Sequence, residues 1–122
     1  MDKKMRARFD EIVQEVADAG DVAVIDMWRL RDAGGWAKLG VNVVRALGNL
    51  LDEVGLGTLP LGEPLPLDQN GKVRVYRQRS TIGALVEAVT RPSGKGDDVL
   101  RRLASDDAGE VLDQIRQLVC TR

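Results

Sequence analysis

The chain has 122 residues, 43% hydrophobic and 30% charged, with a net charge of −1; this fits one domain with a small appendage and argues against wholesale disorder. It contains no histidine and a single cysteine, Cys120, so no intrachain disulfide can form and the commonest metal ligand and near-neutral proton carrier is missing. No apolar run approaches ~20 residues, and Met1 to Phe9 is charged throughout, so neither a membrane span nor a signal peptide is expected and a cytoplasmic setting is.

Residues 2–19 are predicted to form a helix, because Met5, Phe9, Ile12, Val13 and Val16 recur at three- and four-residue steps. Gly20 stands where helices stop, and Asp21 can cap the next segment. Residues 22–33, with Val24, Ile25, Trp28 and Leu30, fit helical spacing better than alternation; a strand over Val22–Ile25 is the competing expectation, since Val and Ile favour strands. Gly34-Gly35 breaks the chain. Trp28 and Trp36 flank that break and are expected to be core anchors.

Residues 36–54 carry the clearest helical signal. Trp36, Leu39, Val43, Leu47, Leu50, Leu51 and Val54 make one apolar stripe, and Lys38, Asn42, Arg45, Asn49 and Asp52 make a polar one. Gly40 and Gly48 inside it each cost about 1 kcal/mol relative to alanine, and Gly55 can end it. Pro60, Pro64 and Pro66 then impose extended or turn geometry. Leu65–Leu67 and Lys72–Arg77, joined by Asp68-Gln69-Asn70-Gly71, are expected to form an edge β-hairpin, because Asn-Gly tolerates positive φ. In its second run Val73 and Val75 face one way, and Lys72, Arg74 and Tyr76 the other. Ser80 or Thr81 can cap a helix running to about Thr90, residues 91–96 read as a linker, Asp97 can cap a short helix, and Ser105 another with Val111, Leu112, Ile115, Leu118 and Val119 inside.

Charge is segregated along the chain. Residues 1–26 carry a balance of −3, 27–50 of +3, 51–68 of −4, 69–96 of +5 and 97–122 of −2. The order helix, helix, Gly-Gly turn, long helix, hairpin, helix over residues 2–90 resembles a winged helix-turn-helix domain. The expected fold is therefore α+β and mostly helical: a winged-helix-like domain over 1–90, a linker over 91–96, and a C-terminal helical appendage over 97–122. The resemblance implies that the helix after the turn enters the major groove and that the hairpin, or wing, touches the DNA backbone. Those two parts coincide with the two positive blocks.

Two groups of residues are therefore candidates for nucleic-acid contact. Lys38 and Arg45 can donate to guanine and Asn42 and Asn49 can pair with adenine, all from one helix face. Lys72, Arg74, Arg77 and Arg79 can track phosphates along the wing. The expected function is non-enzymatic binding of duplex DNA, with a homodimer as the form suited to a two-fold site. The alternative is a protein-interaction or self-assembly module using Leu59, Leu61 and Leu65 together with the C-terminal amphipathic helix. No cofactor or metal is expected. Gly55-x-Gly57 follows a helix instead of opening one, and Ser93-Gly94-Lys95-Gly96 lacks the upstream glycine and following hydroxyl of a phosphate loop. Asp97/Asp98 and Asp106/Asp107 suit helix starts, and Cys120 has no histidine to activate it.

Overall fold

A computed structural model describes residues 1–105 together with Asp113 and Gln117. Val111, Leu112, Ile115, Leu118 and Val119 of the helix expected after Ser105, and the single cysteine, Cys120, lie outside the described residues. The fold is α+β and mostly helical, with five helices and three strands among the described residues: α1 (Lys3–Asp18), β1 (Val22–Asp26), α2 (Met27–Gly34), α3 (Val41–Glu53), β2 (Leu56–Leu59), β3 (Lys72–Arg77), α4 (Thr81–Thr90) and α5 (Gly94–Leu103). Two compact units divide the chain, Met1–Gly83 and Ala84–Arg122.

In the first unit, α1 starts where the Asp2 carboxylate accepts the Met5 N–H at 2.7 Å. Phe9, Ile12 and Val16 on its inner stripe are buried. The chain reverses at Gly20 and Asp21, both at positive φ, and continues as β1. The helix expected over 22–33 therefore exists only from Met27 onward. The β-branched run Val22–Ile25 is a strand because β3 supplies a pairing partner, a tertiary contact that overrides the local spacing.

A helical α2 needs acceptors for its first N–H groups. Asp26 at the N-cap makes no side-chain hydrogen bond to them. Instead Met27 N–H donates to the Gly71 carbonyl at 2.9 Å and Trp28 N–H to the Gln69 carbonyl at 3.0 Å. The end of α2 is set by Gly35, in the left-handed region at φ +80. Gly34 beside it leaves room for the Trp36 ring, which a Cβ there would overlap. Residues 36–40 are not helical, so α3 begins at Val41 and not at Trp36. Gly40, extended at φ −143, is its N-cap.

The sheet has the order β1-β3-β2, both pairings antiparallel. Lys72–Arg77 is thus the central strand, not an edge, and its hairpin partner is Leu56–Leu59 instead of Leu65–Leu67. Pro64 and Pro66 carry no N–H to donate to a ladder, and Leu65 between them is buried. The Asp68–Gly71 turn does form, with Gly71 N–H donating to the Asp68 carbonyl at 2.9 Å. Val73 and Val75 join Phe9, Ile25, Leu30, Leu47, Leu51 and Leu56 in one core, so α1, α2 and α3 pack on the same face of the sheet. Tyr76 points to the other face and is nevertheless buried. Its ring covers Gly57 so closely that a Cβ there would overlap it.

As expected, the Ser80 hydroxyl caps α4, accepting the Gly83 N–H at 3.1 Å. In the second unit α5 begins earlier than expected. Ser93, not Asp97, is its cap, accepting the Gly96 N–H at 2.9 Å. Among the described residues no helix is long and apolar enough to cross a membrane.

Candidate nucleic-acid interface

The polar stripe of α3 is where the sequence spacing places it. Asn42, Arg45 and Asn49 are exposed on one side of the helix, while Val44, Leu47 and Leu51 fill the core from the other. Lys38 is exposed too, but it stands in the connector before α3 and not on the helix. Among the described residues neither Lys38 nor Arg45 has a carboxylate within 4.0 Å. Val41, at the first position of α3, is 61% exposed. It borders a cavity of about 280 Å³ against Pro64 and Leu65, with Arg45 and Glu63 at its edge.

The four strand cations behave differently. Lys72 Nζ lies 3.0 Å from Asp26 Oδ1, and Arg77 Nε bonds Asp21 Oδ1. Both pairs follow from the register, in which Lys72 sits opposite Asp26 and Tyr76 opposite Val22. Opposite charges facing each other across strands stabilise the pairing. Arg74 is exposed opposite Val24, which is 52% exposed. Arg79, just beyond β3, is exposed, and among the described residues neither Arg74 nor Arg79 has an ion pair.

Lys72 and Arg74 point to the face of the sheet opposite α1, α2 and α3. The cations of α3 and those of β3 therefore do not form one surface: the sheet lies between α3 and the side chains of Lys72 and Arg74, and Lys72 and Arg77 are neutralised. The loop that joins β2 to β3, residues 60–71, holds Glu63 and Asp68 and no lysine or arginine. The signal for the neutralised pairs was present in the chain: Asp21 and Asp26 have the same spacing as Lys72 and Arg77.

Trp36 is partly buried against the core, as an anchor should be. Trp28 is not a core residue. It is 44% exposed and borders a surface depression with Arg8, Glu11 and Arg29. Arg29 is held there by Glu15, with Nη1 3.0 Å from Oε1 and Nη2 bonded to Oε2. That hydrogen bond, reinforced by the guanidinium charge, lowers the Glu15 pKa below the ordinary carboxylate range, and the same bond raises that of Arg29.

Gly55 and Gly57 lead into and along β2, and Ser93 is occupied as a helix cap, so neither stretch is a phosphate cradle. Asp98 pairs with Arg101 at 3.0 Å on α5. Among the described residues no group of three or more His, Cys, Asp or Glu side chains is placed to hold a metal ion. No family model, curated protein or solved structure matches the chain.

Proposed function

We propose that residues 1–83 form a winged helix-turn-helix domain that binds duplex DNA without catalysis, through the α2–α3 connector and the exposed side of α3. The element order supports the fold reading: helix, strand, helix, helix, then two strands, with the first strand paired to the last. A single observation carries the functional one. Lys38, Asn42, Arg45 and Asn49 are all exposed, and α3 buries its opposite side. Asn42 and Arg45, in the N-terminal part of α3, are the base-reading candidates, and Lys38 is a phosphate contact. Lys72 and Arg77 take no part in this reading, because carboxylates of the same domain already engage them.

Two cations on the contact face imply modest affinity with a shallow salt dependence. At about −0.9 per neutralised phosphate, the slope of log K against log salt is expected to be roughly −2. Anisotropy titration of a labelled duplex tests this. A Lys38→Glu/Arg45→Glu variant is expected to lose binding, and Arg74→Gln is expected to keep it. Absence of salt-sensitive binding by the parent, or loss confined to Arg74→Gln, overturns the reading.

A second reading, a protein-docking or self-associating module, is favoured by one feature: exposed Leu61 and Leu67 lie in the cation-free 60–71 loop, and exposed Val41 borders it. Light scattering across concentrations tests self-association. A mass that rises with concentration supports a homodimer, and a strict monomer counts against self-association.

A further inference from the structure

The Asp68–Gly71 turn holds the first turn of α2 through two backbone carbonyls, those of Gln69 and Gly71. Between those carbonyls lies Asn70, followed by a residue with no side chain. We propose that Asn70 is a site of spontaneous deamidation, and that its conversion releases the N-terminus of α2. This inference does not depend on the DNA-binding reading.

The chemistry needs only water. The Gly71 backbone nitrogen attacks Asn70 Cγ, forming a C–N bond and closing a five-membered imide. Nδ2 departs as ammonia, carrying the proton lost by the Gly71 amide. Water then opens the ring at one of its two carbonyls. Opening at Cγ restores the ordinary backbone and leaves aspartate. Opening at the main-chain carbonyl leaves isoaspartate, whose backbone runs through Cγ and is one methylene longer.

Three asparagines make an internal comparison possible. Asn42 and Asn49 lie in α3 and are followed by Val43 and Leu50, whose side chains crowd the attacking nitrogen and whose backbone is held in helical geometry. Asn70 is exposed, outside any helix or strand, and its side-chain amide has no hydrogen-bond partner among the described residues. The turn itself opposes the reaction. Gly71 N–H donates to the Asp68 carbonyl at 2.9 Å, and Asn70 N–H to Asp68 Oδ1 at 2.9 Å. The attacking amide is free only when the turn opens, so conversion in the folded protein is gated by that opening and is faster in the unfolded chain.

An isoaspartate at 70 moves the Gly71 carbonyl away from Met27 N–H and disturbs the approach of Lys72 to Asp26. In the structure the Asp26 side chain makes no cap bond to the first amides of α2, so the two turn carbonyls are what holds them. The amides of Met27 and Trp28 then exchange with solvent.

The full chain is held in warm, mildly alkaline buffer, with and without urea, and digested under acidic conditions. Peptide masses are then measured, with sequence ions separating residues 49 and 70. Only residue 70 is expected to gain the mass of an amide-to-acid change in the folded protein, as two isomeric products, and urea is expected to speed it. Hydrogen exchange at Met27 and Trp28 is expected to rise in the converted fraction and to stay unchanged in an Asn70→Gln control. Conversion at residue 70 no faster than at 42 or 49 overturns the site. Conversion without faster exchange at Met27 and Trp28 overturns the release of α2.

Discussion

Gly48 stands inside α3 with nothing within 4 Å of the place a Cβ would occupy. Alanine there removes the backbone-entropy cost of a helical glycine and adds no clash. Gly48→Ala is therefore expected to raise unfolding stability by about 1 kcal/mol, measured by denaturant titration. Gly57→Ala is expected to do the opposite, since its Cβ meets the Tyr76 ring. Leu47 is fully buried, and Leu47→Ala is expected to cost about 2–5 kcal/mol through the lost burial and the cavity left behind. The Glu15–Arg29 pair gives a pH effect of definite sign. The folded carboxyl has its pKa below the unfolded value, so its contribution is present above the unfolded pKa and is lost as pH falls through the folded one. Glu15→Gln is expected to flatten the acid limb of stability against pH by lowering stability at neutrality and leaving it unchanged at low pH; the loss is small because the pair is partly exposed. Much of this scale was legible in the residue order: Phe9, Ile12, Val16, Leu47 and Leu51 are core residues by spacing alone. Trp28 was not, because aromatic bulk signals burial without saying which way the side chain points.

The pairing of β1 with β3 carries its own charge pattern. Asp21 and Asp26 close the two ends of the ladder against Arg77 and Lys72. Reversing one member places like charges opposite each other. Asp26→Lys alone and Lys72→Asp alone are each expected to lower stability by up to about 1 kcal/mol, and the double exchange is expected to restore most of it. Thermal unfolding of the four proteins measures the coupling. The same pairing explains why the strands were only partly legible. The Asn-Gly turn is a strong local hairpin signal, and it drew Leu65–Leu67 into a strand that the flanking prolines forbid. The real partner, Leu56–Leu59, is separated from β3 by the 60–71 loop, and no short-range pattern links them. Helix α3 shows the same limit. Its apolar spacing continues back through Leu39 and Trp36, so the sequence does not reveal that Gly35 and Gly40 hold residues 36–40 out of the helix.

Across the whole chain, alternation of positive and negative blocks has two distinct consequences. The block richest in cations, residues 69–96, is partly neutralised by the acidic N-terminal block once β3 lies against β1. The smaller positive block, residues 27–50, keeps Lys38 and Arg45 exposed and without ion pairs among the described residues. A linear count of charge cannot tell these cases apart, because only strand register decides which carboxylate meets which cation. The proposed DNA contact therefore lies on the exposed side of α3 and its connector, and not on the outer face of the sheet. Nuclear magnetic resonance of the isotope-labelled chain, titrated with duplex DNA at low salt, tests that division directly. Amide shifts are expected to concentrate at Lys38, Asn42, Arg45 and Asn49, leaving Val22, Val24 and Arg74 unchanged. Shifts confined to the sheet face around Arg74, or no shifts at all, would contradict it.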